Sequence, residues 1–197
     1  MAKQKDNKQQ EKKVEFVNTT PVGEKKNTNE AMIAAYHPAA VEAAWYDWWE
    51  KCGYLQANNS EDDTREKFVI CIPPPNVTGA LHLGHALTVS IQDCLCRWHR
   101  MNGKNVLYLP GVDHAGIATQ VVVEKTLAKE QEGFSRHDLG RDAFIDKVWE
   151  WKDKYGKRIV SQLKRIGASL DWSRERFTMD PQLSKAVTEA FVRLSEK

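Results

Sequence analysis

Residues 68–85 have the sequence FVICIPPPNVTGALHLGH, and this stretch decides the fold. Its first five residues, Phe68 to Ile72, are apolar, and so short an apolar run predicts a strand covered on both faces in a parallel sheet. Three prolines follow and end the strand, because proline has no N–H to donate to a neighbouring strand. After a loop through Gly79, the spacing of apolar residues predicts a helix from about Ala80 to Met101.

The alternation of strand and helix continues along the chain. A second strand is predicted at Asn105–Leu109, a helix at about 115–129, a long amphipathic helix around 144–166 and a last helix from Asp180. A helix is also predicted ahead of the first strand, from His37-Pro38 to Gly53. Such alternation indicates an α/β fold, a parallel sheet with right-handed crossovers in a nucleotide-binding arrangement.

Composition excludes several classes of protein. Apolar residues make up 41% and charged residues 28% of the chain, as in globular proteins. The apolar runs are too short to span a bilayer, and no secretory or transit signal follows Met1, so a cytoplasmic location is expected. The four cysteines have neither disulfide nor zinc spacing, because Cys94-x-Cys96 lacks a second pair. Reduced thiols and no protein-held metal are therefore predicted.

The small positive charge lies in the first 30 residues. Residues 1–30 contain seven lysines and five acids, whereas residues 31–197 contain 22 basic and 22 acidic side chains. The first segment is predicted to be a disordered Lys/Gln-rich tail, because it has too little apolar area to offset its ordering entropy. Its role is either that of a solvated tail or that of a weak electrostatic arm for RNA or a protein partner.

The strongest chemical signal is His82-Leu83-Gly84-His85, which follows the buried strand and opens a helix. Residues three apart share a helix face, so both imidazoles can contact one ligand. The N-terminus of the helix adds unpaired N–H groups that favour phosphate, and Gly84 lets a nucleotide approach the backbone. Two partly exposed histidines near a helix terminus are the simpler alternative. The usual glycine-rich phosphate loops are absent.

A second polar cluster follows the second strand, in the sequence GVDHAGIATQ at residues 111–120. Asp113 is either an N-cap or a carboxylate that pairs with the ammonium group of a ligand. Asn76, Thr78 and His114 are expected in the same crevice, because ligands of open α/β sheets bind beyond the carboxyl ends of the strands.

These two stretches resemble class I aminoacyl-tRNA synthetases, which carry a His-x-Gly-His signature in a doubly wound catalytic domain. The context at residues 73–79 and 113–120 is similar to the valine-specific branch. The likeness extends from about Tyr36 to the sequence LDWSRERFTMD at residues 170–180 and covers roughly three-quarters of the chain. It implies that residues 31–197 form the first half of a doubly wound, Rossmann-like catalytic domain.

The resemblance also implies an activity and roles for residues. It implies a ligase that activates valine with ATP, accompanied by Mg²⁺, and transfers it to tRNA(Val). His82 and His85 would be catalytic, and Thr78, Gly79 and Gly84 would join them in binding ATP. The amino acid would contact Pro74, Asn76 and Asp113. The signature region as a whole comprises Pro75, Asn76, Val77, Thr78, Gly79, Ala80, Leu81, His82, Leu83, Gly84 and His85.

Part of the family pattern is missing from the sequence. No stretch resembles the second signature, Lys-Met-Ser-Lys-Ser, and the editing and anticodon-binding domains are also absent. Half of a doubly wound sheet is expected to leave an open edge and an uncovered apolar face. The chain is therefore expected to be inactive alone. The alternative is a non-catalytic truncated isoform that binds ATP, valine or a protein partner.

Overall fold

The structure is a computed structural model that describes residues 18–29, 35–130 and 135–197. The chain divides into two compact units, Met1–Cys52 and Gly53–Lys197. Within the described ranges, no helix has both the length and the apolar character needed to cross a membrane.

The second unit alternates strands and helices in the predicted order. The third to seventh α-helices all lie in this unit, together with every strand that the described residues form. The strands are β1 Lys67–Cys71, β2 Asn105–Leu109, β3 Gly111–Val112 and β4 Arg176–Phe177, and the helices are α3 Leu83–Met101, α4 Gly116–Glu130, α5 Arg136–Leu139, α6 Arg141–Arg165 and α7 Pro181–Ser195.

The described strands form two small parallel sheets. β1 pairs with β2, with Lys67 opposite Asn105 and Cys71 opposite Leu109. β3 pairs with β4, with Val112 opposite Phe177. The parallel α/β class is therefore confirmed. The second sheet was not predicted, because strands of two residues are too short to show a period in the sequence.

One face of the β1–β2 sheet carries the core of this unit. Tyr108 and Ile72 pack there against Val89 of α3 and against Ile159 and Leu163 of α6. All five residues are at most 4% exposed. α3 and α6 thus hold the sheet from the same side.

The opposite face of the sheet and one side of α3 are uncovered, so the prediction of a strand buried on both faces is wrong. Val69 is 56% exposed. α3 buries Val89 and Cys96, and its long apolar stripe faces solvent. This stripe, called the α3 stripe below, comprises Leu83, Leu87, Ile91, Leu95, Trp98 and Met101, which are 46–87% exposed. The uncovered apolar face expected for half of a doubly wound sheet is thereby confirmed.

In the first unit, the single helix predicted from His37-Pro38 is two short helices, α1 Pro38–Glu42 and α2 Trp45–Lys51. They are separated at Ala44, which has a left-handed φ of 70°. The indole Nε1 of Trp45 donates to the Val41 carbonyl at 3.0 Å. That bond satisfies the Val41 carbonyl where the helix is interrupted, which apolar spacing alone could not reveal.

Part of the predicted tail contacts α2 within the first unit. Glu24 pairs with Lys51 at 2.6 Å, and the Lys25 ammonium lies 5.5 Å from the Trp48 ring centroid. Residues 1–17 and 30–34 lie outside the described residues. The assignment of residues 1–30 as a tail, and any partner it binds, therefore stays a prediction.

Candidate active site at the strand ends

The two polar stretches meet where β1 and β3 end. Asp113 N donates to the Pro75 carbonyl at 2.8 Å, and Val77 N donates to the Asp113 carbonyl at 3.0 Å. These bonds form an isolated parallel bridge between Asn76 and Asp113. Because prolines cannot donate, the pairing resumes only after the third proline, and it places Asn76 beside Asp113 as predicted.

The histidine pair forms the N-terminal cap of α3. Gly84 N donates to His82 Nδ1 at 3.1 Å, and His82 N donates to His85 Nδ1 at 3.2 Å, which together make a capping box. The two ring centroids are 3.9 Å apart. The helix therefore begins at Leu83, three residues later than predicted, because the His82 side chain takes the capping position.

This cap fixes which ring nitrogen of each histidine is free. A nitrogen that accepts a backbone N–H carries no proton, so each neutral imidazole has its proton on Nε2. Both rings therefore have an Nε2–H donor at the end of a helix whose dipole favours anions. The pKa of His85 lies below its usual value of 6.5, first because burial disfavours the imidazolium and second because His82 is adjacent.

Acid should open this cap. The pKa of His85 is lowered on folding, so the unfolded chain binds more protons than the folded chain below pH 6.5. The contribution of neutral His85 to the stability of the folded chain is therefore complete above pH 6.5 and decreases as the pH falls below it. We expect the amide of His82, which donates to His85 Nδ1, to exchange faster, relative to its intrinsic rate, below pH 6.5 than above it. Hydrogen exchange resolved by residue measures this. The α7 cap, where the Asp180 carboxylate accepts from Leu183 N at 2.9 Å, contains no histidine and is the control. Equal pH dependence at both caps would contradict the prediction.

Gly84 has a local role in the structure, beside the predicted approach of a nucleotide, which stays a prediction. A Cβ added at this position would lie 2.9 Å from His82 Cε1 and 3.1 Å from His82 Nδ1. Such contacts are closer than carbon atoms tolerate, so any side chain at position 84 would displace the His82 ring from its cap. Glycine is thus needed for the histidine pair itself.

The Asp113 carboxylate is held by a residue that the sequence did not single out. The Thr178 hydroxyl donates to Asp113 Oδ1 at 2.9 Å and accepts from His114 N at 2.8 Å. His114 Nδ1 lies 2.5 Å from the same hydroxyl. Thr178 follows β4 as Asp113 follows β3, so the pairing of two short strands brings them together. A polar residue directly after a strand was the available signal, but β4 was not recognisable.

Asp113 is not the N-cap of α4. That helix begins at Gly116, after Ala115 with a φ of 42°, and its first turn is held by Thr119 Oγ1, which donates to the His114 carbonyl at 2.7 Å. Asp113 Oδ2 has no hydrogen-bond partner among the described residues, and the side chain is 32% exposed. The carboxylate is therefore fixed through one oxygen and free to bind through the other.

α6 supports the loop between β1 and α3 by two hydrogen bonds. The Trp151 indole donates to the Val77 carbonyl at 2.8 Å, and Gln162 Oε1 accepts from Leu81 N at 2.9 Å. Both residues lie on the helix predicted around 144–166, but their polar contacts depend on the packing of α6. These bonds hold the backbone on both sides of Thr78 and Gly79.

The remaining residues predicted to contact ATP or the amino acid are accessible, whereas Pro75 and Val77 of the signature region are buried. Pro74 and Asn76 are exposed, and Thr78 and Gly79 are half-buried. In the described part of the chain, the side chains of Asn76 and Thr78 have no hydrogen-bond partner and remain available to a ligand. The same part contains no group of three or more histidine, cysteine or acidic side chains placed to hold a metal ion.

Comparison with known proteins identifies the family. The family model for class I tRNA synthetases (I, L, M and V) matches residues 44–197. Valine–tRNA ligase of Homo sapiens is 61% identical over 183 residues, which cover 90% of this chain and 14% of that protein. Valine–tRNA ligase of Geobacter sulfurreducens is 62% identical over 166 residues, covering 84% of this chain and 18% of the relative.

A solved structure shows the same fold. The chain superposes on the Agrobacterium radiobacter K84 agnB2 LeuRS, solved in a ternary complex with tRNA and LeuAMS, with a TM-score of 0.65 and 19% identity. The match covers 82% of this chain and 18% of that one. The chain spans only 14% of the human valine–tRNA ligase and 18% of the Geobacter sulfurreducens one. On the family match over residues 44–197, the chain belongs to the class I tRNA synthetases.

Proposed function

We propose that this chain supplies the part of a valine–tRNA ligase that binds ATP and valine, and that its two small sheets are half of a doubly wound sheet. The identity to valine–tRNA ligases and the fold likeness support this assignment. A cytoplasmic location remains a prediction from composition, since the similar proteins include mitochondrial ligases. No finding supports a protein partner for the basic tail.

One observation carries the proposal. Asp113 presents a carboxylate oxygen without a partner among the described residues, while Thr178 holds its other oxygen at 2.9 Å. The bridge to Asn76 places an amide side chain beside it. An ammonium group paired with Asp113 Oδ2 would form a charge-assisted hydrogen bond, and Asn76 can bind the carboxylate or carbonyl of the same amino acid.

The histidine pair would contact the phosphates of ATP. In the proposed reaction the valine carboxylate attacks the α-phosphorus, the bond to the bridging oxygen breaks and pyrophosphate leaves with the electron pair. Negative charge grows on the phosphate oxygens, and the Nε2–H groups of His82 and His85 can donate to them. A hydroxyl of the terminal ribose of tRNA(Val) then attacks the carbonyl carbon of the valyl adenylate and loses its proton, the bond from that carbon to the phosphate oxygen breaks, and AMP leaves with the electron pair.

Mg²⁺ would enter with ATP rather than from a protein site. The described residues contain no cluster of three or more candidate ligands, so they do not fit a protein-held ion. The described residues would therefore contribute hydrogen bonds and position to the site.

Valine binding tests the role of Asp113. We expect Asp113→Asn to weaken valine binding about a hundredfold, because loss of one partner of a charged hydrogen bond costs roughly 2–5 kcal/mol. ATP binding should be unchanged. Isothermal titration of the chain with valine and with ATP measures both affinities. Asp62→Asn, which removes an exposed acid from a turn, is the matched control. Unchanged valine affinity in Asp113→Asn would remove the carboxylate from the site.

ATP–pyrophosphate exchange distinguishes the proposal from a non-catalytic isoform. The sequence contains no Lys-Met-Ser-Lys-Ser-like stretch, so we expect the chain to bind ATP and valine but to show little valine-dependent exchange. In a chain of the length of its relatives, His85→Ala should lower the exchange rate by a factor on the order of a hundred. Strong exchange by the 197-residue chain that disappears in His85→Ala would instead show that it is a complete enzyme.

A further inference from the structure

A polar cavity, called the Arg100 cavity below, lies at the opposite end of the β1–β2 sheet from the candidate active site. It has a volume of about 450 Å³, in the range of small-ligand sites, and lies between residues 53–59, the last turn of α3 and the start of β2. β2 runs from Asn105 at the cavity to Leu109, so its length of about 13 Å separates the cavity from the strand ends near Asp113. The two sites are therefore distinct.

The lining of the Arg100 cavity is positively charged. Arg65, Arg100 and Lys104 belong to it, and among the described residues no aspartate or glutamate does. Arg65 is neutralised by Asp63, to which its guanidinium donates two bonds of 2.7 and 2.9 Å. Lys104 pairs at 2.5 Å with Glu66, whose side chain is 72% exposed. An exposed pair of this kind is weak, and the ammonium group has two further N–H donors, so Lys104 can also bind a ligand.

Arg100 has no acidic partner to balance its charge. Its guanidinium donates to the Ser169 hydroxyl and, at 2.9 Å, to the Ser169 carbonyl, and both acceptors are neutral. In the part of the chain that the structure describes, no carboxylate lies within ion-pair distance of Arg100, and its Nε–H has no partner. Burial lowers the pKa of this guanidinium, because the charge has lost water without gaining a counter-ion in contact. An anion that contacts Arg100 would supply that counter-ion.

The C-terminus of α3 lies at this cavity and opposes an anion. The helix dipole there amounts to about half a negative charge. Its last carbonyls are already bonded, that of Trp98 to Asn102 N at 3.1 Å and that of His99 to Lys104 N at 3.1 Å. The full positive charges of Arg100 and Lys104 therefore outweigh the dipole.

Two buried side chains fix the loop on the other side of the cavity. Asn105, which is 7% exposed, accepts from Asn58 N at 3.0 Å and donates to the Asn58 carbonyl at 2.8 Å. Asp171, which is 1% exposed, accepts from Ala57 N at 3.1 Å. The loop is thus held in place before a ligand binds, which lowers the entropy cost of binding.

We propose that the Arg100 cavity binds a small phosphate monoester, with its phosphate group on Arg100 and Lys104. A guanidinium and an ammonium together suit the charge of a phosphate monoester, about −1.5 to −2 at pH 7. The side-chain amides of Gln56 and Asn59 also line the cavity and have no hydrogen-bond partner among the described residues, so they can bind the polar remainder of the ligand. A phosphodiester of an RNA strand carries only one negative charge and brings a bulky nucleoside on each side.

Isothermal titration of the whole chain with glycerol 3-phosphate tests the proposal, and glycerol is the matched ligand without a phosphate group. At constant ionic strength we expect one equivalent of glycerol 3-phosphate to bind and glycerol to give no signal. Lys104→Gln should weaken binding about tenfold, because it removes a charge-assisted hydrogen bond. Arg100→Gln should weaken it at least as much. Circular dichroism checks the folding of Arg100→Gln, which alters the contact with Ser169, and Lys104→Gln decides the outcome if that variant is unfolded.

The matched control is Lys157→Gln, which removes an exposed lysine from α6 outside the cavity and should leave the affinity unchanged. Equal losses in Lys157→Gln and Lys104→Gln would overturn the site, since net charge alone would then explain the binding. Binding that is lost in His85→Ala and kept in Lys104→Gln would also overturn it and indicate the N-terminus of α3. Tighter binding of the dinucleotide ApA than of glycerol 3-phosphate, weakened by Lys104→Gln, would overturn the monoester and indicate an RNA backbone.

Discussion

Replacement of Leu163 by alanine is expected to lower the free energy of unfolding by about 3 kcal/mol, within the range of roughly 2–5 kcal/mol for buried leucines. Leu163 is 1% exposed and packs in the core with Tyr108 and Leu170. Its neighbour Gln162 binds Leu81 N, so loosening of α6 should also disturb the loop that leads to His82. Urea denaturation followed by circular dichroism measures the change, and valine titration measures its effect on the site.

Leu194 provides a matched control for this substitution. It lies on α7 and is 74% exposed, so Leu194→Ala removes the same atoms without leaving a cavity. Leu194→Ala should change the free energy of unfolding by no more than about 0.5 kcal/mol. If Leu163→Ala and Leu194→Ala unfolded at similar urea concentrations, the packing of α6 against the core would be contradicted.

Replacement of Ile91 by glutamate in the α3 stripe is expected to lower self-association of the chain about tenfold or more. Ile91 is 57% exposed in the middle of the stripe, between Leu87 and Leu95. An apolar strip of this length favours contact with other apolar surfaces, and burial of one isoleucine contributes about 1.5–3 kcal/mol. Sedimentation velocity over a range of concentrations measures the association constant. The double variant Leu87→Glu/Ile91→Glu should remain monomeric at concentrations at which Ile91→Glu still associates.

Ser90→Glu is the control for added charge. Ser90 is the adjacent residue on α3 and is also exposed, but it lies outside the apolar stripe. If Ser90→Glu reduced association as much as Ile91→Glu, net charge rather than apolar contact would explain the effect. Equal helicity of both variants by circular dichroism would show that α3 remains folded.

Much of the fold was predictable because its signals are local. β2 was predicted with its observed bounds, and α6 and α7 follow from apolar spacing and from the Asp180-Pro181 start. The strand β1 was placed within one residue. The interruption at Ala44 was not predicted, since it depends on a left-handed backbone and on the Trp45 side chain.

The candidate site was predictable in its residue types more than in its contacts. The proximity of His82 to His85 follows from helical spacing, and that of Asn76 to Asp113 follows from their positions after parallel strands. Thr178 was missed because it is 65 residues from Asp113 and follows a strand of two residues. The contact of Gly84 with the His82 ring was not predicted, because it depends on the capping position of that ring. The ligand roles of these residues remain proposals.

The sequence by itself determined the order of strands and helices and the two polar stretches that end them, because spacing, proline and capping signals act within a few residues. Only the tertiary structure decided which face of each element is covered. The apolar spacing of α3 correctly grouped Leu87, Ile91 and Leu95, yet the helix buries Val89 and Cys96. Periodicity defines a face, whereas burial depends on which other elements are present to pack against it. The same holds at the strand ends, where the pairing of β3 with β4 brings Thr178 to Asp113.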